Sequence, residues 1–123
     1  MNESRIFVDT NILLYLIKKD DYLSNLLQNK DLFISIVTEI ELLSYHGITL
    51  AEQKKIQELI NDCIIIDLNQ NVKNIAIDLR RRYRLKLSDS IVAASSLFIN
   101  LPLITADSDF QKVKEINLQL YQK

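Results

Sequence analysis

Acidic residues recur in this chain at the points where short apolar runs end. Asp9 follows Ile6-Phe7-Val8 and precedes a second apolar run, Ile12-Leu13-Leu14. An acid between two apolar runs has no obvious solvent-facing position, and charged side chains are seldom fully buried unless they are paired or functional. The other acids in comparable places are Glu39 and Glu41 and the pair Asp107 and Asp109, while Asp89 opens a helix directly after Ser88.

The elements that must position these acids can be predicted from the pattern of apolar residues. Strands are predicted at 6–8, 32–36, 63–66, 103–105 and 118–121, where β-branched and apolar residues concentrate. Helices are predicted at 10–17, 22–27, 38–45 (stopped by Gly47), 50–62, 72–83 (capped by Asn69 or Asn71), 88–99 (capped by Ser88) and 107–113. Strands that alternate with helices favour an α/β fold with a mostly parallel sheet covered on both faces.

In a parallel sheet the carboxyl ends of the strands share one edge, where open α/β proteins bind their ligands. Acids that follow different strands can therefore meet there. The run Cys63-Ile64-Ile65-Ile66 is continuously apolar, which is typical of a strand that helices cover on both faces.

Carboxylates gathered in one cleft repel one another, and a hard divalent cation such as Mg²⁺ or Mn²⁺ relieves that repulsion. A nitrogen–sulfur metal site cannot be built, because His46 and Cys63 are the only residues of their types. A glycine-rich phosphate loop is excluded as well, since Gly47 is the only glycine. The expected chemistry is metal-assisted hydrolysis of a phosphodiester.

Each acid also has a purely structural interpretation. Asp89 and Asp107 could be first-turn acids that the helix dipole favours. The segment Thr38-Glu39-Ile40-Glu41 matches a capping box, in which Glu41 would bind a backbone N–H. Helical periodicity does not separate Glu39 from Glu41, and the residues alone leave the two open as ligands.

Composition describes an ordinary globular protein. The chain has 123 residues, of which 48% are hydrophobic and 25% charged, and this predicts a single domain over residues 1–123. The lone Cys63 excludes an internal disulfide and fits a reducing, cytoplasmic setting. No apolar run approaches the roughly 20 residues of a membrane span, so no membrane partner is expected.

Contact with nucleic acid requires a local basic patch, because the formal net charge is only −1. One basic segment runs directly into Asp89, and its cations are Arg80, Arg81, Arg82, Arg84 and Lys86. Runs of this kind usually form the solvated face of a helix. Beside a hydrolytic metal site, however, these side chains would bind an RNA backbone, and Lys18 and Lys19 form a weaker second patch.

Four segments of the chain resemble the motifs of the PIN-domain ribonucleases, and most of all those of VapC-like toxins. They are Val8-Asp9-Thr10-Asn11-Ile12-Leu13, Thr38-Glu39-Ile40-Glu41-Leu42, Leu87-Ser88-Asp89-Ser90-Ile91-Val92-Ala93-Ala94 and Thr105-Ala106-Asp107-Ser108-Asp109-Phe110. The resemblance covers nearly the whole chain in the family's order. It implies a three-layer α/β/α sandwich built on a five-stranded sheet.

The resemblance also implies roles for individual residues. Asp9 and Asp89 would be the principal metal ligands, and Glu41 and Asp107 would complete the pocket directly or through water. Thr105 would steady the site, and Asn11 and Asp109 would support it. Two departures stand out: Ser90 replaces an alanine that is common in the family, and either Asp107 or Asp109 can supply the fourth acid.

A Mg²⁺-dependent endoribonuclease, the toxin of a type II toxin–antitoxin pair, is the function that the resemblance implies. Mn²⁺ would be a possible substitute ion. The expected partners are an RNA substrate, a cognate antitoxin and a second copy of the chain in a homodimer. The alternatives are an RNA-processing nuclease of the same fold without an antitoxin, and a non-catalytic binding module.

Overall fold

Strand β1 (Arg5–Val8) lies in the middle of a five-stranded sheet. The structure is a computed structural model that describes residues 4–122, so the ends of the predicted domain, residues 1–3 and 123, lie outside the described residues. The other strands are β2 (Asp31–Ser35), β3 (Ile64–Ile66), β4 (Leu103–Thr105) and β5 (Leu118–Leu120). Their order is β3-β2-β1-β4-β5 and every pairing is parallel, so the predicted mostly parallel sheet is in fact entirely parallel.

Helices connect these strands as the alternating pattern predicted. They are α1 (Thr10–Ile17), α2 (Asp21–Leu27), α3 (Ile36–Leu43), α4 (Leu50–Asn61), α5 (Gln70–Tyr83) and α6 (Leu87–Ile99), followed by a short 3₁₀ helix at Ser108–Lys112. Within residues 4–122, no helix has both the length and the apolar character needed to cross a bilayer.

The sheet separates two apolar cores because side chains alternate between its faces. Phe7 packs with the apolar side chains of α5 and α6 on one face. Ile6 and Val8 pack with side chains of α1, α2, α3 and α4 on the other. The protein is therefore a three-layer α/β/α sandwich, which confirms the predicted fold class.

Three predicted helix boundaries are wrong, and at the start of α3 the reason is that an earlier residue, Ser35, caps the helix. Helix α3 begins at Ile36, where the Ser35 hydroxyl accepts a hydrogen bond from the Val37 N–H, so Thr38 is not its cap and the predicted capping box does not form. Helix α6 begins at Leu87 without a side-chain cap, so Ser88 lies inside its first turn. Helix α3 also ends at Leu43, well before Gly47.

Helices cover both faces of the third strand in part: Ile66 packs against the core on one face and Ile65 against the core on the other. Strand β3 pairs only with β2 and forms one edge of the sheet. Ile64 is nevertheless 48% exposed. The strand begins at Ile64 rather than at Cys63, which follows the end of α4.

Candidate active site

Asp9 lies at the carboxyl end of the central strand, where it is 7% exposed and caps helix α1. Its Oδ1 atom accepts a hydrogen bond from the Thr10 N–H at 2.8 Å. Its Oδ2 atom accepts from the Thr105 hydroxyl at 2.7 Å and from Asn11 Nδ2 at 3.4 Å. These donors satisfy a buried carboxylate, as burial of a charged group requires.

Thr105 and Asn11 also hold the neighbouring strand end against Asp9. The fully buried Thr105 hydroxyl accepts a hydrogen bond from the Asp107 N–H at 3.0 Å. Asn11 Oδ1 accepts one from the Ala106 N–H at 3.1 Å. The segment that carries Asp107 is thereby tied to the end of β1, across 95 residues of sequence.

A cluster of three carboxylates lies at this same edge of the sheet. One carboxylate oxygen from each of Asp89, Asp107 and Asp109 lies within 4.8 Å of the other two. Asp89 is in the first turn of α6, and Asp107 precedes the 3₁₀ helix, where its Oδ1 accepts from the Asp109 N–H at 2.9 Å. The structure therefore places both Asp107 and Asp109 beside Asp89 instead of selecting one of them.

The electrostatics of these acids reflect burial and mutual repulsion. Burial raises the pKa of Asp89 to about 6, helped by repulsion from Asp107, Asp9 and Asp109, while Lys86 opposes the shift. Burial likewise raises the pKa of Asp9, although the hydrogen bonds from Thr105 and Thr10 partly offset it. A pocket whose carboxylates are costly to ionise together is suited to bind positive charge.

Glu41 approaches Asp9 through Thr10. Glu41 is exposed on α3, and its Oε1 atom accepts a hydrogen bond from the Thr10 hydroxyl at 2.6 Å. Repulsion from Glu41 also contributes to the raised pKa of Asp9. Glu39 occupies the first turn of α3, where the helix dipole favours an acid.

The donor set has the chemistry of a hard-cation site. The candidate ligands contribute carboxylate oxygens, which suit Mg²⁺ and Mn²⁺ and not a thiolate- or imidazole-binding metal. The buried Thr105 hydroxyl and the Asn11 amide both donate hydrogen bonds to the Asp9 carboxylate. The residues present therefore fit a divalent metal ion.

All five cations of the basic segment at the end of α5 are exposed, and two of them already have protein partners. Arg82 forms ion pairs with Asp78, at 2.7 Å, and with Glu115. Arg80 Nε donates to the Leu85 carbonyl at 3.2 Å. The remaining cations, Arg81, Arg84 and Lys86, are exposed.

The sequence indicated no role in the site for the hydroxyl of Thr10, and it indicated only a capping role for that of Thr38. The Oγ1 atoms of Thr10 and Thr38 lie 3.0 Å apart, although the two residues are 28 positions apart in the chain. The sequence shows that Thr10 follows Asp9 and that Thr38 precedes Glu41 by one turn. It does not show that α1 packs against α3 and so brings the two threonines together.

An all-parallel α/β domain with an acidic pocket at its strand ends is the class that this fold and site define. Within that class, the PIN domain family model matches residues 6–116. The chain therefore belongs to the PIN-domain family, and the resemblance seen in the four sequence segments is confirmed. No curated protein matches the chain.

Solved toxin–antitoxin structures share this fold. A toxin–antitoxin complex from Klebsiella pneumoniae is 26% identical, with a TM-score of 0.77 over 93% of this chain and 95% of that one. VapBC2 from Rickettsia felis, bound to a DNA fragment from its promoter, is 22% identical, with a TM-score of 0.84 over 96% and 99%. VapBC-1 from nontypeable Haemophilus influenzae is also 22% identical, with a TM-score of 0.76 over 94% and 97%.

Proposed function

We propose that this chain is a Mg²⁺-dependent endoribonuclease and the toxin of a type II toxin–antitoxin pair. The observation that carries the proposal is the group of acids at the carboxyl edge of a PIN-domain sheet: three carboxylates within 4.8 Å, next to the buried Asp9. Similarity along nearly the full length of chains in toxin–antitoxin complexes supports the toxin role. The proposed setting is the cytoplasm.

In this proposal Asp9 and Asp89 are the principal ligands of the ion, and Glu41 and Asp107 bind it directly or through water. When bound, the ion supplies an activated water and stabilises negative charge on the phosphodiester. Asp109 lies in the same carboxylate cluster, so it supports the negative field of the pocket. Thr105 and Asn11 keep the ends of β1 and β4 in fixed relation, which gives the ligands a preorganised geometry.

We propose that the exposed cations beside Asp89 bind the RNA backbone. Arg81, Arg84 and Lys86 leave their charges to solvent, whereas the guanidinium of Arg82 is already paired with two carboxylates. We expect Arg84→Ala to weaken RNA binding. The slope of the logarithm of the binding constant against the logarithm of salt concentration should fall by about one, which corresponds to one lost phosphate contact. Arg82→Ala is the matched control, and an equal loss in both variants would contradict this assignment.

Two partners complete the proposal: an antitoxin that covers the acidic pocket, and a second copy of the chain. Induced expression in a bacterial host, with and without the adjacent gene, tests the toxin role. Growth arrest that the adjacent gene relieves, together with cleaved RNAs, is the expected result. Harmless expression of an active nuclease would favour RNA processing, and absence of both cleavage and Mn²⁺ binding would favour a non-catalytic module.

A further inference from the structure

We infer that Thr10 is the positioning residue for Glu41, and that it acts with Thr38 to fix the Glu41 carboxylate toward the metal pocket. The inference rests on the proposed metal-dependent function of the same site. Thr10 contacts two of the proposed ligands at once, through its N–H to Asp9 at 2.8 Å and through its hydroxyl to Glu41 at 2.6 Å.

The count of hydroxyl protons fixes the direction of this chain of hydrogen bonds. The Thr10 hydroxyl has a single proton and lies within reach of both Glu41 Oε1 and Thr38 Oγ1. An ionised carboxylate only accepts, so the Thr10 proton goes to Glu41. The 3.0 Å contact between the two hydroxyls is then made by the proton of Thr38, which donates to Thr10.

The chain of hydrogen bonds runs from a buried hydroxyl to an exposed carboxylate. Thr38 is fully buried, whereas Glu41 is exposed at the surface of α3. Without Thr10, an exposed glutamate would sample several rotamers, and holding it for a ligand would cost side-chain entropy. The hydrogen bond from Thr10, which Thr38 supports from the buried side, restricts the Glu41 carboxylate before any ligand binds.

The same contacts distinguish the two glutamates of α3. Thr38 and Glu41 are three residues apart and so lie on one face of the helix, where α1 crosses it. Glu39 lies two residues from Glu41, which places it on a different face of α3. Glu39 is therefore a natural control that shares the charge and the helix of Glu41 but not the contact with Thr10.

The test measures Mn²⁺ binding by calorimetry on the full chain, independently of RNA cleavage. We expect Thr10→Val to weaken Mn²⁺ binding about 10-fold, in the range seen when partners of metal ligands are removed. Thr10→Ser keeps the hydroxyl and should bind as the wild type does. In a Glu41→Ala background the Thr10→Val effect should disappear, whereas in a Glu39→Ala background it should persist in full.

Equal Mn²⁺ affinity in Thr10→Val and wild type would overturn the inference, and so would an unchanged Thr10→Val effect in the Glu41→Ala background. Absence of Mn²⁺ binding to the wild type would also overturn it. If Thr10→Val does not fold by circular dichroism, Thr10→Ala takes its place. A wild type that binds Mn²⁺ with the expected coupling but cleaves no RNA would refute the proposed function alone.

Discussion

Replacing Asp89 with asparagine should stabilise the metal-free protein at neutral pH. Burial and the neighbouring carboxylates raise the pKa of Asp89 from its usual 3.8 to about 6, so ionisation of this side chain opposes folding. Asparagine has nearly the same shape and removes the charge. The gain in the free energy of unfolding should appear only when no divalent ion is present to neutralise the charge of the pocket.

The size of the gain follows from the pKa. One pKa unit corresponds to about 1.4 kcal/mol, so a shift from 3.8 to about 6 corresponds to about 3 kcal/mol at most. Asp89 is only half-buried, and solvent screening reduces this figure. The helix dipole at the start of α6 favours the acid by up to about 1 kcal/mol. We therefore expect a net gain of about 1 kcal/mol, or about 3–5 °C in Tm.

The raised pKa also predicts how the stability advantage of Asp89→Asn changes with pH. Because the pKa is higher in the folded state, the folded protein holds the proton more tightly, and stability falls as pH rises from about 4 to about 6. The advantage of Asp89→Asn should be near zero at pH 3.5, grow across that window and level off above pH 7.

Urea unfolding in EDTA at several pH values measures the effect, with the exposed acid of Asp67→Asn as a control. Saturating Mg²⁺ should reverse the order, since the wild type gains more from a ligand that binds the folded state. A difference in stability between Asp89→Asn and wild type that is constant from pH 3.5 to 8 would contradict the raised pKa of Asp89.

Two further predictions test the support of the site and the burial of the thiol. Thr105→Val leaves the Asp107 N–H without its hydroxyl acceptor, so the free energy of unfolding measured in urea should fall by about 1–3 kcal/mol. Thr105→Ser keeps the hydroxyl and should lose less. Equal losses in the two variants would contradict the role of the hydroxyl. Burial raises the pKa of Cys63 to about 11, which lowers the fraction of reactive thiolate. At pH 8 the thiol should therefore react with a disulfide reagent at least about 100-fold more slowly in the folded protein than in urea. Equal reaction rates would contradict this prediction.

Local sequence signals were sufficient for much of the fold. The bounds of α1 and β4 match their predicted ranges, because an N-cap acid begins the first and a proline and a polar turn delimit the second. Errors arose where two signals compete. Ser35 and Thr38 are both good cap residues, and α3 starts at the first because β2 ends at Ser35.

Long-range arrangement was less accessible to sequence. The order of the strands decides that β3 is an edge strand, and an apolar run such as Ile64–Ile66 does not state how many neighbours it has. The convergence of acids at one sheet edge was predictable from parallel topology. The contact of Thr10 with Glu41 was not, because it depends on how α1 crosses α3.

Cleavage of single-stranded RNA by the wild type and by Asp9→Asn, with Mg²⁺ or with EDTA, tests the proposed function most directly. Asparagine can still cap α1, so the variant should keep its circular dichroism spectrum. The wild type should cleave only with Mg²⁺. Asp9→Asn should be slower by at least about 100-fold, since even partners of metal ligands account for 10–100-fold. Equal cleavage by both proteins, or wild-type cleavage that EDTA leaves unchanged, would contradict the account.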